Sequence, residues 1–130
     1  MYRATTKSIL VTVKPQYLAE RSSEVTSSFF WAYTIEISNQ GDIPVQIISR
    51  RWVIVDALGR EEIIEGLGIV GEQPLLAPGE AFEYTSGVPL STPTGIMSGT
   101  YQVEAQDGHM FDIEIPAFSL DSPHLKPTLN

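Results

Sequence analysis

Residues 66 to 71 read Gly66-Leu67-Gly68-Ile69-Val70-Gly71, the glycine spacing of a dinucleotide-binding turn. Such a turn holds a pyrophosphate when it follows a strand and opens a helix, because the helix N-terminus then faces the anion. Glu61 to Glu65 supplies a short strand ahead of it. Behind it stand Glu72-Gln73-Pro74-Leu75-Leu76-Ala77-Pro78-Gly79, and Pro74 and Pro78 forbid a helix of useful length. Glu62, Glu65 and Glu72 flank the turn and would repel phosphate, and no Lys follows as in a phosphate loop. The segment therefore reads as a tight, glycine-dependent loop between strands. The remaining anion chemistry is a nest of backbone N–H groups, with Arg50, Arg51 and Arg60 as counter-charge if the fold brings them near.

Other reactive residues are scattered. His109 and His124 lie apart, with no carboxylate at metal-ligand spacing. His109 adjoins an Asp-Gly turn and reads as solvent-facing. Asp56, Glu61, Glu62 and Glu65 have the oxygen ligands of a hard-cation site but read better as a solvated rim. No serine sits in a nucleophile-elbow setting. With no cysteine in the chain, disulfides, thiolate metal sites and cysteine nucleophiles are excluded. No catalytic set, resident metal or cofactor is expected.

Composition narrows the partners. The 130 residues, 42% hydrophobic, suit one domain with a real core, expected over residues 1–120, with a flexible tail over 121–130. Net charge is −8, and it is uneven: residues 1–55 carry six basic and four acidic side chains, residues 56–130 two and twelve. Such a surface repels nucleic acid, so no nucleic-acid partner is expected. No apolar run approaches the roughly 20 residues of a membrane span, and the N-terminus lacks a convincing signal peptide. A cytoplasmic protein without membrane insertion is expected.

The elements that would position any site are strands. Ser8 to Lys14 alternates, with Ile9, Val11 and Val13 on one face, and Pro15 is expected to end it. Tyr17 and Leu18 would anchor the polar connection that follows. Phe29 to Asn39 places Phe29, Trp31, Tyr33, Ile35 and Ile37 on one face, and Asn39-Gln40-Gly41-Asp42 forms a turn. Val45 to Asp56 carries two competing phases, Val45, Ile47, Val53 and Val55 against Ile48, Trp52 and Ile54. This predicts a bulge or bend at Ser49-Arg50-Arg51. Ala81 to Val88 reads as a strand with Phe82 and Tyr84 on one side, and Pro89 to Gly99 as a recognition loop. Asp107-Gly108 joins Thr100–Gln106 to Met110–Phe118 as a hairpin, with positive φ expected at both turn positions. Pro116 marks an edge or the end of pairing. Trp31, Trp52, Phe82 and Tyr84 read as core, and Tyr101 as packed beneath a sheet or bonded at a corner. About seven short strands without a 3.6-residue period predict an all-β antiparallel β-sandwich.

The run Ser49-Arg50-Arg51-Trp52, then Asp56, Gly59 and the block from Gly66 to Tyr101, resembles the ApaG family of small bacterial proteins. The resemblance extends back through Val11–Ser23 and forward through Phe111–Phe118. It implies an immunoglobulin-like or fibronectin type III-like sandwich. It also implies an association with cobalt and magnesium homeostasis, although a chain without membrane spans is not itself an efflux channel. Related eukaryotic domains are appended to an F-box substrate adaptor and to a DNA-polymerase-interacting protein, which implies protein–protein recognition. Members similar to this chain commonly carry His where Arg51 stands, so a metal or acid–base role there would not transfer. The expected recognition surface comprises Arg50, Arg51, Gly66, Gly68 and Gly71 with Thr92 and Gly95 from the Pro89–Gly99 segment. The expected partner is a protein, and exposed strand edges leave a monomer or a homodimer by edge pairing open. A pyrophosphate-containing nucleotide or a divalent cation is the alternative ligand.

Overall fold

The computed structural model describes residues 1–123. Strands β1 (Tyr2–Thr6), β2 (Ile9–Tyr17), β3 (Phe29–Asn39) and β7 (Ala81–Leu90) form one antiparallel sheet in the order β1-β2-β3-β7. Strands β5 (Glu61–Leu67), β4 (Val45–Asp56), β8 (Thr94–Ala105) and β9 (Met110–Asp121) form the second in the order β5-β4-β8-β9, with the short β6 (Leu75–Leu76) added to β4. One 3₁₀ turn, Ala19–Arg21, is the only helical element described. The chain is an antiparallel β-sandwich, as its alternating pattern requires.

Strand β3 shows the physical rule most plainly. Every odd position from Phe29 to Asn39 is buried and every even one is partly exposed, so one pleat face meets the opposite sheet. From the facing sheet, Trp52 comes within 5.4 Å of the Tyr33 ring, 6.1 Å of Phe118 and 6.4 Å of Tyr101, all in edge or near-edge contacts. Trp31 is buried as well, and its indole N–H donates to the Asp121 carbonyl at 3.0 Å, tying the two sheets.

The two phases of β4 are reconciled by a bulge, one residue ahead of the Ser49-Arg50-Arg51 stretch where it was expected. Its register against β8 shifts between Ile47 and Ser49, leaving Ile48 as the extra residue. Val45 and Ile47 are buried before it, Trp52 and Ile54 after it. The odd phase thus faces the core up to the bulge and the even phase beyond it.

Several boundaries differ from the sequence reading. β1 was not anticipated, and β2 runs through Pro15 to Tyr17. Pairing of β1 stops at Val13, so one flank of Pro15 has no ladder to complete. The Pro89–Gly99 loop shrinks to Ser91-Thr92-Pro93, because β7 continues to Leu90 and β8 starts at Thr94. Glycine is favourable here for close approach: a Cβ at Gly99 would fall on the Arg51 carbonyl oxygen. The hairpin after β8 has positive φ at Gly108 alone. The Gly108 amide bonds Ala105 O at 2.9 Å and the Ala105 amide bonds His109 O at 2.8 Å, so the loop is three residues long with a glycine bulge. Pro116 sits at a second bulge, between the pairs Met97–Phe118 and Gly99–Ile115, in the edge strand β9. Pairing does not end there but continues to Asp121. Of the expected tail, Asp121 closes β9 and Ser122 is buried; residues 124–130, His124 among them, lie outside the described residues.

The sandwich is closed along one side, where β1 and β2 lie against β9. On the other side the edge strands β5 and β7 leave a cleft of about 360 Å³.

Candidate functional site

The glycine segment is a hairpin. The amide of Ile69 donates to Glu72 O at 2.7 Å and that of Glu72 to Ile69 O at 2.9 Å, enclosing Val70 at φ 44° and Gly71 at φ 83°. Two consecutive positive φ values make a type I′ turn, which the right-handed twist of the flanking strands favours. Gly68 also has positive φ (68°), and a Cβ there would collide with the Glu72 carbonyl.

Hydrogen bonding settles what this loop presents. The β4 bulge frees the Ile48 carbonyl, which accepts the Gly68 amide at 2.7 Å and the Gln73 side chain at 2.9 Å. The amides of Gly68 and Ile69 are therefore spent within the protein. Toward Arg50 the loop turns carbonyls: Nη1 donates to Leu67 O and Gly68 O, both at 3.0 Å. The guanidinium lies flat on Gly66, where an added Cβ would meet Nη2 at 2.9 Å. The glycines make room for an arginine rather than for a phosphate.

The expected residues fall in three places. Arg50, Gly66 and Gly68 are in contact, with Gly71 at the hairpin tip. Arg51 points to the other face of its sheet, 3.9 Å from Glu65; so exposed a pair contributes little. Thr92 and Gly95 belong to the opposite end of β5, about 20 Å away at the rise of a seven-residue strand. The buried Thr92 hydroxyl accepts the Ala57 amide at 3.1 Å and donates to Thr94 O at 2.8 Å, so it fixes the crossing between sheets. A Cβ on Gly95 would meet Leu90 at 2.6 Å and Val55 O at 2.8 Å. Arg60 is at that end too, its Nε 2.7 Å from Asp56 Oδ2 and its Nη2 2.9 Å from Ser91 Oγ, remote from the glycine loop.

The carboxylates do not converge. Asp56 accepts the Leu58 and Arg60 amides besides the Arg60 guanidinium. Desolvation pushes its pKa up, but those bonds and the Arg60 charge outweigh it and hold the carboxyl below its ordinary value. Among the described residues no group of three or more His, Asp or Glu side chains is placed to hold a metal ion. His109 stacks beside Phe111 with ring centroids 6.2 Å apart.

A donor cluster in the cleft was not singled out by the sequence. Tyr33, Tyr84 and Ser86 line it together with Arg50, among Trp52, Ile54, Ile64, Ile69, Val88 and Met97. The Tyr84 hydroxyl is hydrogen-bonded to that of the fully buried Tyr101. Burial raises the pKa of Tyr33, Tyr84 and Tyr101, against the lowering influence of the Arg50 charge, so all three remain protonated at neutral pH. The signal was present: hydroxyls occupy positions 33, 84, 86 and 101, all in the inward phase of their strands.

The comparisons with known proteins agree with this architecture. The ApaG domain family model matches residues 19–105. The chain belongs to the ApaG family. Protein ApaG of Paramagnetospirillum magneticum (strain AMB-1) and that of Azorhizobium caulinodans (strain ORS 571) are each 59% identical over 130 residues, covering 100% of both chains. The crystal structure of an ApaA protein from Bordetella pertussis superimposes with a TM-score of 0.87 at 47% identity, covering 90% of this chain and 95% of that one. No helix among the described residues is long and apolar enough to cross a membrane.

Proposed function

We propose that this ApaG domain is a non-enzymatic recognition module, acting in the cytoplasm, that takes an extended basic segment of another protein along the free edge of β5. The observation that carries this reading is the edge itself. Among the described residues β5 pairs only with β4, and Ile63 (46% exposed), Leu67 (76%) and Val70 (56%) stand in solvent along it and its hairpin. An unpaired edge offers a row of backbone donors and acceptors to an added strand, and alternate side chains give such an edge its selectivity. Immunoglobulin-like and fibronectin type III-like modules, with which we group this sandwich, offer such edges on a rigid scaffold.

Charge selects the occupant. Glu61, Glu62 and Glu65 lie on β5 and Glu72 closes its hairpin, with no basic residue on the strand. A second copy paired through the same edge would set six strand carboxylates on adjacent strands, which is costly. A segment alternating apolar and basic residues meets both the exposed side chains and the charge. Arg51 and the Gly71 tip border this surface. The association with cobalt and magnesium homeostasis would then run through the partner.

A photocrosslinking residue at position 63 in cells tests this. We expect one heteromeric adduct whose crosslinked peptide, read by mass spectrometry, alternates apolar and basic residues, and loss of that adduct when Glu61 and Glu65 are both changed to Lys. An adduct of two 14.3 kDa chains, or an acidic crosslinked peptide, sinks the reading.

A further inference from the structure

The cleft behind β5 carries an inference of its own, independent of what pairs with the strand edge. We infer that it is a binding site for a small monocarboxylate with an apolar body, held by Arg50 and the hydroxyls of Tyr33 and Tyr84.

Hydrogen-bond balance is the first argument. Arg50 has five N–H donors. Nη1 donates to two neutral carbonyls, Leu67 O and Gly68 O. Among the described residues the ion pairs are Arg51–Glu65 and Arg60–Asp56, so no carboxylate pairs with Arg50. The two hydroxyls of Tyr84 and Tyr101 share one hydrogen bond. Two hydroxyl protons and one shared bond leave one proton over, and Tyr84 is the member that lines the cleft. Tyr33 lines it as well, beside Ser86. The polar end of the cleft therefore has a full positive charge and hydroxyl donors, which a carboxylate complements.

Charge and shape narrow the class. Glu62 stands at the rim on the same inward phase of β5 as Ile64. One guanidinium neutralises one ligand charge, and Glu62 at the rim repels a second or third, so pyrophosphates and nucleotides are disfavoured. The walls, Trp52, Ile54, Ile64, Ile69, Val88 and Met97, are apolar, and about 360 Å³ accommodates a small organic molecule.

The test uses the full chain and two probes, 4-methylpentanoate and benzoate, followed by Trp fluorescence and two-dimensional NMR. We expect saturable binding, with shifts confined to Tyr33, Trp52, Tyr84, Val88 and their neighbours. The matched amide, 4-methylpentanamide, should bind about tenfold more weakly or worse, a loss of about 1.4 kcal/mol. Because Arg50 also holds the hairpin, Arg50→Gln is paired with Ile64→Asp, which places a second negative charge in the cleft and leaves the Arg50 bonds intact. Both should abolish binding, and Ile64→Asp should do so with its remaining spectrum native. The proposal is overturned by no binding of either acid up to about 10 mM, beyond the millimolar range of weak ligands. It is equally overturned by an amide as tight as the acid, by tighter pyrophosphate, by unaltered binding in Ile64→Asp, or by shifts elsewhere. A leucine-terminated peptide that binds more tightly than the free acid overturns the small-molecule assignment.

Discussion

At the scale of single residues, this core depends on polar groups that are satisfied only in pairs. Tyr84 and Tyr101 meet across the two sheets, one from β7 and one from β8. Tyr84→Phe leaves the Tyr101 hydroxyl buried without its partner, and unpaired buried hydroxyls cost about 1–3 kcal/mol. The double change Tyr84→Phe/Tyr101→Phe removes both groups and should be closer to wild type than the single one. Urea unfolding of all three proteins reads this directly; strictly additive losses would show that the hydroxyls do not couple. The same burial sets an alkaline limit. Folded-state pKa values of Tyr33, Tyr84 and Tyr101 are raised above 10.0, so their contribution is present in full below pH 10 and lost as pH rises beyond it. Absorbance and circular dichroism should therefore show Tyr84 and Tyr101 ionising with unfolding rather than before it. Asn39 is the third such residue: its Nδ2 donates to Ile43 O at 2.9 Å and Leu76 O at 3.0 Å, and its Oδ1 accepts the Gly41 amide at 3.0 Å. Asn39→Leu should cost about 2–3 kcal/mol in the same measurement, from the orphaned backbone groups.

At the scale of elements, the glycines separate two kinds of constraint. Gly71 has φ 83° with nothing within 4 Å of an added Cβ, so Gly71→Ala should cost only backbone strain, about 1–2 kcal/mol. Gly99 has no such φ, but its Cβ would strike the Arg51 carbonyl, so Gly99→Ala must push β8 off β4 and should cost about 3 kcal/mol or more. Val70 is the opposite case, a β-branched residue at φ 44° where Asn is preferred. Val70→Asn should stabilise by about 1 kcal/mol, raising Tm by about 4 °C. These contrasts also explain what the sequence disclosed. Period-two alternation made β3 and the phase conflict in β4 legible, and Pro74 and Pro78 ruled out the helix that a nucleotide turn needs. Register was not legible. Nothing local says that Gly66 faces Arg50 across a ladder, or that Tyr84 meets Tyr101 across the core. Both pairings depend on which strands are neighbours. The Pro89–Gly99 segment looked like a loop for the same reason: its Ser, Thr, Pro and Gly residues signal turns locally, whereas Gly95 and Gly99 serve close strand contacts that appear only in three dimensions.

At the scale of the whole molecule, the charge excess acts on the fold itself. A net charge of −8 over 130 residues opposes compaction, because like charges are nearer in the folded chain than in the unfolded one. The repulsion is concentrated: residues 56–130 have ten more acidic than basic side chains, the difference between twelve and two. Within the fold, β5 holds Glu61, Glu62 and Glu65, and among the described residues the one ion pair to them is Arg51 with Glu65 at 3.9 Å. Screening length falls from about 30 Å at 0.01 M salt to about 8 Å at 0.15 M, from roughly the span of the domain to less than the width of two strands. Tm should therefore rise with sodium chloride over that range, by about 4 °C for each kcal/mol of repulsion removed. General salting effects are separated by Glu61→Lys/Glu65→Lys, which changes the net charge from −8 to −4 at that edge. The variant should be more stable than wild type at low salt and respond less to added salt, whereas equal salt slopes in the two proteins would locate the repulsion away from β5. Since the same substitutions should abolish capture of a basic segment by the edge, one pair of changes would raise stability and remove recognition together. That outcome is expected where a surface is kept charged for a partner at the expense of the isolated domain.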